Sequence, residues 1–259
     1  MNNTVIDPTP PPSPNIQACL QGVACRDCSL YQLCLPMEIE GADLDLLDRI
    51  IRRRRPLRRG EYLFRAGDPM QTLYAIRSGS VKTFTASSNG QDHVTGFSLP
   101  GELIGLDAID AGVYPCSARA LETSSVCEVA YEGLEELSMR IRGLQRQLLR
   151  LMSREIHHDE KMMMLLGRMS ADERLAALLF DFSSRFHQRG FSSQMFRLSM
   201  SRNDIGNYLG LAVETVSRLF TRLQNEELLT VQNKFVKIHD MEHLHRLSGA
   251  FGEKPIRHA

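Results

Sequence analysis

The cysteines are where this sequence most openly offers chemistry. Cys25-Arg26-Asp27-Cys28 is a C-x2-C pair and Cys34 follows after five residues, so three thiols fall within ten positions. A loop that short closes on one centre at small entropic cost. Soft thiolates suit iron–sulfur clusters and zinc. A fourth ligand is not local, and Cys19, Cys116 and Cys127 are the candidates. The segment holds no His, the first in the chain being His93, which counts against a Cys2His2 zinc site. An iron–sulfur cluster, a zinc site and reduced cysteines packed as small hydrophobes all stand at this point. Cys127 sits in the β-like run Val126-Cys127-Glu128-Val129, from which it would face the segment.

A second chemistry lies near the other end. Ser201-Arg202-Asn203-Asp204 is a capping box that opens a helix carrying Ile205 and Leu209 inward, and Gly210 makes a tight exit. A further helix begins near Ala212. Val216, Leu219, Phe220 and Leu223 share its packing face, while Glu214, Ser217 and Arg218 lie on the other face of its N-terminal half. Helix, Gly turn, helix is the helix-turn-helix pattern, and that half is where a recognition helix meets base edges. Arg pairs with guanine, Glu accepts from a cytosine amino group, and Ser contacts a base or a phosphate. Arg202 and Arg222 suit phosphates. Leu228–Val231 and Phe235–Ile238, turning at Asn233, fit a wing. The plainer alternative is an αα-hairpin whose charged residues face water.

Other elements must hold these two sets. Five short β-like runs, Glu61–Phe64, Leu73–Ile76, Val81–Phe84, Val94–Phe97 and Val126–Val129, with eight Gly between Gly60 and Gly112, predict an antiparallel barrel or roll. Asp43–Ile51 reads as a short helix ending in Arg52-Arg53-Arg54-Arg55, cations that a helix C-terminus favours. Ser170 and Glu173 form another capping box, ahead of an apolar run from Leu175 to Phe182. Between roll and reader, Gln145, Leu149, Met152, Ile156, Asp159, Met163 and Leu166 are spaced 4, 3, 4, 3, 4, 3. That is a heptad seam, which predicts a partner helix. A second stripe, Leu144, Leu148, Leu151 and Met152, packs on the chain's own body.

Bulk numbers narrow the class. The chain of 259 residues is 42% hydrophobic and 24% charged with zero formal net charge, so any basic surface is local. No apolar run approaches the ~20 residues of a membrane span. Met1–Pro14 is Pro-rich, with neither the basic nor the apolar region of a signal peptide, so a reducing cytoplasm is expected and a disulfide framework is not. No G-x-G-x-x-G or P-loop is present to suggest a cofactor-binding enzyme.

At these residues the chain resembles the cAMP-receptor/FNR superfamily, and within it the FNR-type oxygen-responsive regulators. The likeness runs from about Cys25 to Ile238. It is most specific at Cys25–Leu30 with Leu33-Cys34, Leu73–Gly79, Ala120–Ser124, Arg189–Ser192, and Asp204–Leu211 with Val213-Glu214-Thr215. The resemblance implies that Cys25, Cys28, Cys34 and Cys127 ligate one oxygen-labile 4Fe–4S cluster, leaving Cys19 and Cys116 as non-ligands. It implies that Glu214, Ser217 and Arg218 read a palindrome resembling TTGAT–N4–ATCAA. It also implies contact with RNA polymerase, through loops that Ala86–Asp92 and the region around Phe191 match loosely. Pattern and resemblance together predict an α+β chain: a disordered tail (1–18), a cysteine segment with a cupin-like jelly-roll sensor, the antiparallel β-roll (19–140), a dimerisation helix (141–169), a winged helix-turn-helix (170–250) and a flexible tail (251–259).

Cyclic nucleotide is the rival ligand of such a roll. Gly101-Glu102-Leu103 matches a nucleotide pocket, but Pro115-Cys116-Ser117-Ala118 stands where an Arg-Ser pair would hold the phosphate, and Arg119 is displaced. The other function classes are an iron–sulfur redox protein that merely shares the roll, and a thiol switch at Cys25 and Cys28 without a cluster. The redox protein needs no salt-sensitive, palindrome-specific DNA binding, and the thiol switch predicts a protein that is colourless at all oxygen tensions. Asp159 suggests how a homodimer would switch. Two copies facing each other across a two-fold seam repel, and desolvating them costs on the order of a few kcal/mol. Asp159→Ala is therefore expected to dimerise in air on a sizing column; a monomer there would contradict the switch.

Overall fold

The structure is a computed structural model that describes residues 23–86 and 92–249. Both expected tails, Cys19 and residues 87–91 lie outside the described residues. A 3-10 turn at Cys25–Asp27 leads to α1 (Gly41–Arg49) and eight strands: β1 (Ile51–Arg53), β2 (Tyr62–Phe64), β3 (Thr72–Ser78), β4 (Val81–Ala86), β5 (Asp92–Ser98), β6 (Leu103–Ile104), β7 (Ser117–Ala120) and β8 (Ser125–Ala130). They form two antiparallel four-stranded sheets, ordered β1-β8-β3-β6 and β2-β7-β4-β5. Leu73 and Ile76 of β3, Val126 and Val129 of β8 and Val81 of β4 are buried in one shared core. Two sheets closing on one apolar interior make the expected jelly roll.

The arginine run departs from expectation. The helix stops at Arg49, and Ile51–Arg53 is a strand paired with Val129, Glu128 and Cys127 of β8. Local pattern favours a helix end here, but pairing with a strand far along the chain overrides it. The arginines then work singly: Arg53 pairs with Asp48, Arg54 with Glu128 and Arg55 with Glu61.

Four helices follow: α2 (Tyr131–Arg140), α3 (Arg142–Arg168), α4 (Ala171–Gln188) and, after β9 (Met195–Arg197), α5 (Arg202–Leu209). Next come α6 (Val213–Asn225), β10 (Leu229–Gln232), β11 (Phe235–Ile238) and α7 (Met241–Leu247). At 27 residues α3 starts before the seam, takes Gly143 inside it, and spans roughly 40 Å. Ser170 and Ser201 each cap as expected, bonding the backbone N–H of Glu173 and Asp204. Gly210 ends α5 at φ 64°, left-handed backbone that favours glycine. The wing turns at Asn233 and Lys234, both with positive φ, and gains β9 as an unforeseen third strand in the order β10-β11-β9. Leu175, Leu179 and Phe182 of α4 pack with Ile205 and Leu209 of α5 and with Val216 and Phe220 of α6.

The helix-turn-helix is docked on the roll. Lys82 of β4, only 6% exposed in its side chain, pairs with Asp204 of α5 at 2.7 Å. Asn207 of α5 brackets β5, accepting from the Val94 N–H and donating to the Asp92 carbonyl. Arg185 of α4 and Arg189 just past its end both close on Glu102, and they also donate to the Phe97 and Pro100 carbonyls, respectively, at 2.6 Å each. Burial works against the charged Glu102, yet the Arg185 and Arg189 cations hold its carboxyl below the usual range. A depressed folded pKa stabilises at pH values above the unfolded one, near 4.3, and that stabilisation is lost as pH falls through the folded value. Glu102→Gln is expected to split thermal unfolding into two transitions at pH 7, as the parent does only in acid below the ordinary carboxylate range. One unchanged transition at pH 7 would contradict the latch.

Candidate sensor and nucleic-acid interface

The cysteine segment is built from tight turns tied to α1 and β1. The Cys25 N–H donates to Asp48 Oδ1 at 3.0 Å, and Arg53, also paired to Asp48, places Nη2 3.9 Å from Cys25 Sγ. The Tyr31 hydroxyl donates to the Ile39 carbonyl and closes the far end. Cys127 comes from β8, paired with Arg53 on one side and Ala75 on the other. Burial raises the Cys25, Cys34 and Cys127 thiols, Cys34 to about 12. The charge of Cys127 reaches Cys25 and Cys34, and that of Cys28 reaches Cys34 and Cys127. Arg53 opposes the rise at Cys25 and Cys127, and Arg77 also opposes it at Cys127. Four soft donors with two cations beside them are a fit donor set for a net-negative thiolate-held cluster. The thiols are neighbours without converging: among the described residues, no three of His, Cys, Asp and Glu are gathered to hold a metal ion.

Cys116 belongs elsewhere. It is buried in the roll, where Sγ meets Asp107 Oδ2 at 3.6 Å, and burial followed by the Asp107 charge pushes its thiol up to about 12.

The cysteine segment touches the elements that lead to the reader. Gly101, at φ 91°, lies under Leu33: a Cβ built there would meet the Leu33 Cβ at 2.9 Å. The next residue is Glu102, held by Arg185 of α4 and by Arg189 just past its end. On the other side, Gln147 of α3 donates to the Cys34 carbonyl at 3.3 Å. Spacing did not single out Glu102 with its arginines as a joint, nor Gln147. The signal available for Gln147 was a polar residue between Leu144 and Leu151 on the inward stripe.

Along α3 the two stripes separate in part: Leu166 of the expected seam packs against the reader's core, and Met152 joins neither core. Leu144 is buried, and Leu148 and Leu151 pack on the roll's core. Leu149, Ile156 and Met163 are 61%, 62% and 67% exposed, Asp159 and Gln145 are exposed, and Met152 and Leu166 are half-buried. Met164, 56% exposed, adds to the apolar surface.

On α6, Glu214, Ser217 and Arg218 are all exposed, while Val216, Leu219, Phe220 and Leu223 are buried. The Ser217 hydroxyl donates back to the Val213 carbonyl at 2.9 Å, and Arg218 Nη2 lies 3.3 Å from Thr215 Oγ1. The two phosphate candidates are occupied. Arg202 lies over the Phe220 ring at 3.1 Å, where burial lowers its pKa to about 10, and Arg222 pairs with Asp172 of α4 and with Glu226. No helix among the described residues is long and apolar enough to cross a membrane.

Comparison with known proteins places these parts. The family model "Cyclic nucleotide-binding domain" matches residues 54–140, and "Bacterial regulatory proteins, crp family" matches residues 198–229. The chain is 55% identical over 225 residues to "Transcriptional activator protein anr" of Pseudomonas aeruginosa, covering 87% of this chain and 92% of that one. It is 49% identical over 227 residues to the "Fumarate and nitrate reduction regulatory protein" of Escherichia coli K12, covering 88% and 91%. Among solved structures, FixK2 from Bradyrhizobium japonicum aligns with a TM-score of 0.71 at 29% identity, over 78% of this chain and 98% of that one. Roll, long helix and helix-turn-helix thus stand in the order of relatives matched along nearly their whole lengths, and the chain belongs to the cAMP-receptor/FNR superfamily, among the Anr and fumarate and nitrate reduction regulators, DNA-binding activators of transcription.

Proposed function

We propose that this chain is a cytoplasmic regulator that senses oxygen through a labile 4Fe–4S cluster held by Cys25, Cys28, Cys34 and Cys127. With the cluster intact it dimerises along α3 and binds a palindrome resembling TTGAT–N4–ATCAA to control anaerobic genes. The observation that carries this is Cys127: a thiol far along the chain sits on β8 opposite Arg53, whose Nη2 lies 3.9 Å from Cys25 Sγ of the segment. When bound, such a cluster supplies an oxygen-reactive iron centre in the thiolate cage.

The chain's residues do the rest. Arg53 and Arg77 offset the negative charge of gathered thiolates. Leu149, Met152, Ile156 and Met163 offer the apolar seam to a second copy, and Asp159 opposes it, so the dimer is poised rather than locked. In the dimer, two α6 helices meet successive major grooves roughly 34 Å apart, with Glu214, Ser217 and Arg218 on base edges. Arg202 and Arg222 take phosphates, Arg202 by leaving the Phe220 ring and Arg222 by exchanging its carboxylate partners. The exposed Phe191 and the sequence segment Ala86–Asp92 would be the contacts with RNA polymerase. The roll favours this over nucleotide sensing, because Glu102 is committed to Arg185 and Arg189, and Pro115–Ala118 holds no arginine for a phosphate.

Anaerobic purification should yield a brown protein with about four irons per chain, dimeric on a sizing column until air is admitted. Cys127→Ala should lose that iron, while Cys116→Ser keeps it. A colourless protein whose size ignores oxygen would remove the sensor and leave the helix-turn-helix standing. On DNA, Arg218→Ala should cost about 1–3 kcal/mol and relax specificity at one base pair per half-site. A uniform loss across all sequences would instead mark Arg218 as a phosphate contact.

A further inference from the structure

The cysteine segment meets α3 at two points on one helix face. Gln147 Nε2 donates to the Cys34 carbonyl, and Arg150 Nη1 pairs with Glu38 Oε2 at 2.8 Å. These positions, one turn apart, flank Leu149 of the seam. The contacts differ in kind. Arg150 and Glu38 are 44% and 50% exposed, and an exposed pair of that sort contributes little. Gln147 is 1% exposed, and its Oε1 has no hydrogen-bond donor among the described residues.

A buried amide oxygen left unpaired is costly, and most buried polar atoms in native folds are satisfied. Packing does not call for an amide there, because Leu144, Leu148 and Leu151 around it lie against an apolar core. A methionine would fill the same volume at no polar cost. So one half of the Gln147 amide is engaged with the segment that carries the thiols, and the other half waits without a partner. The helix that carries it is continuous from Arg142 to Arg168, so a shift at position 147 reaches Leu149, Ile156 and Met163 as a rotation of the seam.

We propose that Gln147 is the positioning residue through which the cysteine segment sets the seam. Its Nε2 follows the Cys34 carbonyl, and its Oε1 takes a donor from the same segment when that segment closes on the cluster. The inference rests on the cluster reading above. It names a single side chain as the joint between sensor and dimer, separate from the Asp159 repulsion that sets how easily the dimer falls apart.

The test compares the parent chain with Gln147→Met. For each, dimer dissociation constants are measured by sedimentation equilibrium under anaerobic conditions, with the cluster present and after its removal, alongside iron content and thermal unfolding of the cluster-free form. Gln147→Met is expected to bind iron as the parent does and to be at least as stable when cluster-free, since the unpaired oxygen is gone. The ratio of its two dissociation constants should fall toward one, at least tenfold below the parent ratio. A residue that only packs would leave that ratio unmoved. Should Gln147→Met fold poorly, Gln147→Asn, which keeps the amide but shortens its reach, is expected to lower the ratio in the same way. A parent-like ratio, or loss of iron from the variant, overturns the role of Gln147 alone. A parent protein that itself holds no iron overturns the function, and this inference with it.

Discussion

Two guanidinium groups, one from the last turn of α4 and one from the residue that caps it, close on one carboxylate, and the relation between roll and reader hangs on that grip. Arg189 is almost wholly withdrawn from water, with 3% of its side chain exposed, and a cation so placed must be answered by fixed acceptors. The Gly101-Glu102 turn supplies them, through the Glu102 carboxylate and the Pro100 carbonyl beside it. The turn has this shape because Gly101 takes left-handed backbone, and it is covered by Leu33. The same few residues therefore carry the floor beneath the cysteine segment and the anchor of the DNA-reading half. In a nucleotide-binding roll this turn would face a ligand; here it faces two arginines of its own chain.

The cysteine segment accordingly lies between two outputs. Leu33 rests on the turn that anchors α4, and the Cys34 carbonyl is held from α3. The segment is built of short turns and anchored in the roll's core by Leu35 and Ile39, and turns of that kind are what a bound group can reset. The helices it touches are long and rigid, so small displacements beneath it are carried rather than absorbed. Nearby charges also suit gathered thiolates: Arg53 and Arg77 offset them, while Asp48 keeps Arg53 in place.

What was legible in the sequence was local. The strands of the roll, the seam of α3 and the capping boxes at Ser170 and Ser201 follow side-chain periods and short-range hydrogen bonds that a few residues determine. The wing turn at Asn233 is legible for the same reason. What escaped was long-range. Ile51–Arg53 has the composition of a helix end and becomes a strand only because β8 lies beside it. β9 joins the wing through pairing with β11. Cys127 is a plausible partner by strand pattern, but its place among four ligands came from resemblance, since no spacing rule links it to Cys34. The docking pairs Lys82–Asp204 and Glu102–Arg185 join residues 122 and 83 positions apart, which no window of sequence can show.

Asp204 serves two structures at once. Its carboxylate completes the first turn of α5, and its other oxygen takes the ammonium of Lys82 from the roll. Modules assembled from different relatives would feel this. A chimera that grafts one regulator's reader onto another's roll must carry positions 82 and 204 together, or it strands a buried cation on one side and frays a helix start on the other. The natural unit of exchange in this architecture is thus larger than the helix-turn-helix, and its border runs through the roll along β4 and β5.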